Sequence, residues 1–232
     1  MPTTKTAATM SKAGAWSFSR MKNFETCPKQ YYHVTVLKEH PFRETEATRY
    51  GTEFHKAAED FIGDDTPLPE RFSFAQGMLD ALKAKPGDKH CELKMGLRED
   101  LTPCGFFDKD VWFRGIVDLL IIDGEKAFVV DYKTGKSARY ADTGQLQLMA
   151  LAVFAHFPEV KRVKGGLVFV IADKFVQADF NVTDRDTLWS PWIKKYARME
   201  KAHEAGVWNP VPSGLCRKHC PVVECPHNGQ NR

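Results

Sequence analysis

Hydrophobic positions recur along the chain with two periods, and each period marks a type of element. Over residues 45–62 the apolar side chains Phe54, Ala57, Ala58 and Phe61 share one helical face, which predicts a helix ending at Gly63. A shorter helical stretch covers 72–84 and stops at Lys85-Pro86-Gly87. An earlier helix starts at Ser17 or Ser19, both good N-caps, and ends near Pro28. Helical spacing returns over 143–157 and 184–205. Strand-like patterns occupy 91–98, 111–122, 127–130, 166–172 and 175–182. Asp123-Gly124, between the second and third of these, is a strong hairpin dipeptide. Residues 1–13, rich in Thr, Ala and Ser, read as a disordered tail, and the chain from Trp208 reads as Pro- and Cys-rich loop.

The run Ile116-Val117-Asp118-Leu119-Leu120-Ile121-Ile122 is apolar on both faces apart from one acid. Such a strand must be covered on both sides. With helices before, between and after the strands, the expected fold is α/β, a central mixed sheet flanked by helices in one domain. The longest uninterrupted apolar run, residues 148–155, has eight residues, too short to span a membrane. Hydrophobic residues at 43% rule out general disorder. The net charge of +3 does not identify a nucleic-acid binder. Local imbalance says more: four basic residues stand against Asp131 over 126–139, and seven stand against three acids over 194–232. No apolar leader stands between Lys5 and Lys12, so a reducing cytoplasm is expected, where clustered cysteines mean metal more often than disulfide.

Asp118 carries the chemistry. An ionised carboxylate inside a strand of Val, Leu and Ile is costly unless paired or bound to a cation. The returning strand holds Asp131-Tyr132-Lys133-Thr134-Gly135. If Asp123-Gly124 is a two-residue loop, Asp118 lies opposite Val129, with Asp131 diagonal to it and Lys133 two residues further on the same face. Two convergent carboxylates suit Mg²⁺ or Mn²⁺, and the lysine can orient or deprotonate a water or bind a phosphate.

These segments, followed by Gln145-Leu146 on a helix, resemble the PD-(D/E)XK nuclease superfamily, and within it the RecB-like exonuclease branch. That branch includes the iron–sulfur nucleases of CRISPR adaptation and the helicase–nucleases of DNA repair. Gly51-Thr52-Glu53-Phe54-His55 resembles the helix that supplies its metal-binding histidine. Cys27-Pro28-Lys29-Gln30-Tyr31-Tyr32 and the trio Cys216, Cys220 and Cys225 resemble its cysteine motifs. The resemblance implies a restriction-endonuclease-like core within a single nuclease domain, 14–232. It would have a helical N-terminal part (14–90), a catalytic sheet core (91–182), a helix (183–207) and a cysteine-rich tail (208–232). It implies that His55, Asp118, Asp131 and the Tyr132 carbonyl bind the catalytic Mg²⁺ or Mn²⁺. Lys133 would be the catalytic lysine, and Gln145 would position substrate. Glu92 matches a carboxylate on the preceding strand. Glu59, four residues after His55, is placed to orient the imidazole. Two departures stand out. Met149 occupies a position where the family usually has Tyr. The tail cysteines are separated by three and four residues, with His219 between the first two.

Cys27, Cys216, Cys220 and Cys225 together would complete a 4Fe–4S site. The alternative is Zn²⁺, with Cys27, His219 or His227 as fourth ligand. The implied activity is metal-dependent DNA exonuclease action on DNA ends in recombination, repair or replication, with proteins of those processes as partners. The alternatives are an endonuclease acting in a complex, of the CRISPR-adaptation type, and a non-catalytic DNA-binding module. Lys136 and Arg139 are the expected phosphate contacts. The aromatic group Trp189, Trp192 and Tyr196 reads as core packing.

Overall fold

A computed structural model describes residues 13–41 and 43–231. The tail expected over 1–13 lies outside the described residues, apart from Ala13, which is buried. Residues 43–189 form one compact unit, and the two ends of the chain, up to residue 42 and from residue 190, form a second. The sequence reads as one domain, because periodicity does not show that the two chain ends pack with each other.

In the 43–189 unit, six strands make one sheet. They are β1 (Asp88–Leu97), β2 (Pro103–Cys104), β3 (Phe113–Asp123), β4 (Lys126–Lys133), β5 (Arg162–Phe169) and β6 (Lys174–Asn181). Their order is β2-β1-β3-β4-β5-β6, antiparallel throughout except for the parallel pair β4–β5. The sheet is therefore mixed and open, with the helices expected around it. Val117, Leu119, Leu120 and Ile121 are fully buried, as a strand apolar on both faces requires.

Numbering the helices in chain order, α1 is Phe18–Thr26, α2 Pro28–Tyr31, α3 Glu46–Gly63, α4 Gln76–Lys83, α5 Gly144–His156 and α6 Arg185–Ala205. Helix α3 begins at a reciprocal cap between Thr45 and Thr48. Its face of Phe54, Ala58 and Phe61 packs with Phe72 and Leu79 against Leu119, Ile121, Val130 and Tyr132 of the sheet. The stretch predicted as one helix over 72–84 divides into a 3₁₀ segment, Glu70–Ala75, and α4. Helix α5 crosses over between the parallel strands β4 and β5. Its run from Leu148 to Phe154 is buried on every side, as an all-apolar helix must be.

The β3–β4 hairpin differs from its expected register. Asp123 pairs with Lys126, so Gly124 and Glu125 are the loop residues. Gly124 has φ +57°, the first loop position at which a II′ turn takes glycine. Paired positions shift by two residues in all, and an even shift leaves every side chain on its expected face.

In the second unit, Ser17 caps α1 by accepting from the Arg20 N–H. Helix α2 runs on into a π-helical turn, Tyr32–Val36. Trp16 stacks on Trp192 and lies 6.1 Å from the Tyr196 ring. Trp189, in the sheet unit, and Trp192 and Tyr196 are all buried, so the aromatic group is core, as expected.

Candidate active site

Three carboxylates line up across three adjacent strands. The pairs Cys91↔Leu119 and Leu93↔Val117 bracket Glu92 opposite Asp118. One step past Leu119↔Val130, the β3–β4 register brings Asp131 opposite Asp118, not diagonal to it. Like charges facing each other on a sheet are destabilising. Glu92 adds strain of its own, since its φ of +48° is a left-handed conformation that side chains other than glycine seldom adopt.

Helix α3 delivers His55 to this row. Its Nε2 lies 3.0 Å from the Tyr132 carbonyl oxygen and its Nδ1 lies 3.4 Å from Asp118 Oδ2. A carbonyl only accepts, so Nε2 carries a proton; Nδ1 faces the carboxylates, where a proton on it is favoured by Asp118 and where a cation would take that proton's place. The Tyr132 carbonyl, expected as a metal ligand, accepts from His55 Nε2 with one of its two lone pairs. The backbone N–H of Tyr132 donates to Asp118 Oδ2 at 2.8 Å. Ligand atoms of His55, Glu92 and Asp118 lie within 4.8 Å of one another. His55 and Glu92 border an open cleft of about 540 Å³ that also takes in Thr52, Lys56, Glu59 and Lys94.

Asp131 is held beside that set. Its carboxylate is nearly sealed, with the residue 2% exposed. Gln145 Nε2 donates to Oδ1. The Lys133 ammonium pairs with Oδ2 at 2.6 Å but is not aligned for a hydrogen bond. Lys133 also donates to Gln145 Oε1 at 2.9 Å, closing a three-residue clamp. The structure thus brings Asp118, Asp131, Lys133, Gln145 and His55 together with Glu92.

The electrostatics reflect an excess of negative charge. Burial first, and then the Asp118 charge, push the Asp131 carboxyl above the usual carboxylate range, with Lys133 opposing. Burial and Asp118 also raise Glu92. Burial would lower His55, but its contact with Asp118 and the charges of Asp118 and Asp131 outweigh it and raise the imidazole. Three carboxylates, one of them with a buried oxygen that lacks an aligned donor, and an imidazole nitrogen form the hard oxygen-rich set that a divalent cation fits.

Other expectations fare differently. Glu59 pairs with Lys56 at 3.1 Å, one helical turn away, which occupies the carboxylate expected to orient His55. Lys136 and Arg139 are exposed in the segment between β4 and α5. Lys94 is not anticipated from sequence, although the strand period of two puts it on the same face as Glu92.

In the second unit, Cys27, Cys216, Cys220 and Cys225 line one pocket, as does His227. The Val211 N–H donates to Cys27 Sγ and the Ser213 N–H to Cys216 Sγ, both at 3.4 Å. Burial pushes the Cys220 thiol up; the Val222 N–H opposes this, and the charges of Cys216, Cys27 and Cys225 add to it. Four cysteine sulfurs around one pocket are a soft donor set that fits a metal or cluster, which would hold them as thiolates.

A family model described as the PD-(D/E)XK nuclease superfamily matches residues 15–225. No curated protein matches the chain. Among solved structures, a protein of Eubacterium rectale provisionally named an exonuclease is similar, with a TM-score of 0.54 and 12% identity over 91% of this chain and 90% of that one. The structure of SSO0001 is also similar, with a TM-score of 0.45 and 14% identity over 96% of this chain and 90% of that one. At 12% identity the likeness to the Eubacterium rectale protein is one of fold.

Proposed function

The chain belongs to the PD-(D/E)XK nuclease superfamily, and from that premise we propose that it is a Mg²⁺- or Mn²⁺-dependent deoxyribonuclease that degrades DNA from its ends. Membership makes it a nuclease hydrolase of a group that generally uses divalent metals. Among the described residues no helix is long and apolar enough to cross a membrane. The observation that carries the reading is the row Glu92–Asp118–Asp131, flanked by His55 on one side and by the Lys133–Gln145 clamp on the other.

His55 Nδ1, Glu92, Asp118 and Asp131 would hold the ion, which when bound supplies an acidified water and positive charge for the phosphoryl oxygens. The Tyr132 carbonyl keeps a proton on His55 Nε2, so that Nδ1 is the nitrogen left to coordinate. Lys133, held by Asp131 and Gln145, keeps its ammonium where it can hydrogen-bond the attacking water or a phosphate oxygen. Gln145 bridges the carboxylate and the ammonium, and so sets their spacing. Lys94, on the cleft wall, and the exposed Lys136 and Arg139 are placed to contact the DNA backbone.

We propose further that Cys27, Cys216, Cys220 and Cys225 hold a 4Fe–4S cluster. The backbone N–H groups aimed at Cys27 and Cys216 support this, because hydrogen bonds to sulfur stabilise thiolate ligands.

End-labelled linear DNA and covalently closed circular DNA, each incubated with the protein and Mg²⁺, test the exonuclease reading. Loss of the linear substrate with the circle intact is expected. Cleavage of the circle at a comparable rate would assign endonuclease action instead.

A further inference from the structure

A second group of ligand-type side chains shares no residue with the carboxylate row or the cysteine pocket. His33, Glu39, His40 and Glu224 each offer one ligand atom, and these atoms lie within 4.8 Å of one another. His33 Nδ1 stands 2.7 Å from Oε2 of Glu39 and 3.1 Å from Oε1 of Glu224. The His40 ring lies 6.5 Å from that of His33. His40 Nε2 is buried and has no hydrogen-bond partner among the described residues.

The backbone is shaped to make these side chains meet. The π-helical turn Tyr32–Val36 ends near Lys38, which has φ +56°. The Glu39 N–H then donates to the His33 carbonyl at 3.0 Å. This seven-to-one closure is one residue wider than the Schellman cap, as the preceding π-helical turn requires, and such caps normally place glycine at the left-handed position. A lysine there is strained, and the turn folds Glu39 back over His33. Glu224 arrives from the far end of the sequence, next to Cys225.

An ion pair alone accounts for only part of this arrangement. A single His33 proton would face two carboxylate oxygens, while the buried His40 nitrogen would stay unsatisfied, which is destabilising. One divalent cation resolves both, since two neutral imidazoles and two carboxylates sum to a charge of −2. Two nitrogens and two oxygens, all from protein, would fill the four tetrahedral positions zinc takes in structural sites, with imidazole and carboxylate ligands that zinc accepts. Bond lengths of about 2.0–2.2 Å would set the ligand atoms roughly 3.3–3.6 Å apart. The two glutamates, with side chains 42% and 52% exposed, have room to close the remaining gap. We propose that His33, Glu39, His40 and Glu224 form a structural Zn²⁺ site. It fastens the segment after α2 to the C-terminal tail and holds the loop that carries Cys225.

The test uses the full chain, stripped with chelator, reloaded with zinc and desalted. Wild type is compared with His40→Gln and Glu224→Gln, which leave the other candidate sites intact, so that the difference in zinc content reports this site alone. Wild type should retain one more zinc per chain than either variant, with iron and sulfide content unchanged. Zinc affinity at the site should fall more than tenfold in the variants. Because Glu224 is half-exposed, its variant should keep the wild-type circular dichroism. Titration of wild type with Co²⁺ gives a second readout that needs no folded His40 variant. The expected spectrum shows visible bands of tetrahedral nitrogen and oxygen ligation, absent from Glu224→Gln. Equal zinc content in all three proteins, or a cobalt spectrum unchanged in Glu224→Gln, would overturn the site and leave an imidazolium–carboxylate cluster.

Discussion

Glu92→Gln should make the metal-free protein more stable and the nuclease much weaker. Glu92 and Asp118 offer ligand atoms less than 4.8 Å apart. At that separation two unit charges repel by about 1 kcal/mol at the dielectric of water and about 3.5 kcal/mol at an effective value of 20. Glu92 is only half-buried, and His55 and Lys94 attract it, so the lower figure applies. Glutamine keeps the shape and removes the charge. In chelator at neutral pH, urea denaturation should therefore show a gain approaching 1 kcal/mol, or about 2–4 °C in Tm for a chain of this size. The sign with pH follows from the raised Glu92 carboxyl. Its charge costs stability above the ordinary carboxylate range, and that cost disappears as pH falls through its folded-state pKa, so the advantage of the variant should shrink in acid. With Mn²⁺ present the order should reverse, because wild type gains binding energy that the variant lacks. Nuclease activity should fall by about 10²-fold. A variant less stable than wild type in chelator, with an unchanged stabilisation by Mn²⁺, would refute the idea that Glu92 belongs to a charge-strained metal site.

Asp118→Ala, Asp131→Ala and Lys133→Ala should each reduce DNA hydrolysis by about 10²-fold or more, and chelator should abolish it in wild type; a folded Asp131→Ala protein with full activity would sink the assignment. Protein purified without oxygen should be brown and contain iron and sulfide, and Cys27→Ser should lose both together with thermal stability. Colourless protein with zinc at the cysteines would replace the cluster and leave the nuclease reading in place. Lys136→Ala and Arg139→Ala should weaken DNA binding alike across sequences, and each should lower the salt dependence of log K by about one unit of slope; salt slopes equal to wild type would exclude both from the interface.

The sequence by itself determined five of the six strands, though β5 starts and ends several residues before its expected span and the two-residue β2 carries no pattern, together with the main helices and the face of the sheet that carries Asp118, Asp131 and Lys133. These follow from local periodicity, and the alternation of a strand survives even a misplaced hairpin loop, because an even shift in register preserves the face. The buried aromatic group was legible for the same reason. Only the tertiary structure decided how Asp118 and Asp131 pair, with one directly opposite the other, because the loop residues Gly124 and Glu125 are set by turn geometry rather than by hydrophobic pattern. It also decided that Glu59 answers Lys56 and that the Tyr132 carbonyl serves His55, since each depends on which nearby partner a side chain or carbonyl finds first. The packing of the two chain ends into one unit, and the meeting of His33 and His40 with Glu224, join residues far apart in sequence. No periodicity records such a meeting, because its free energy comes from contacts that exist only once the chain has closed.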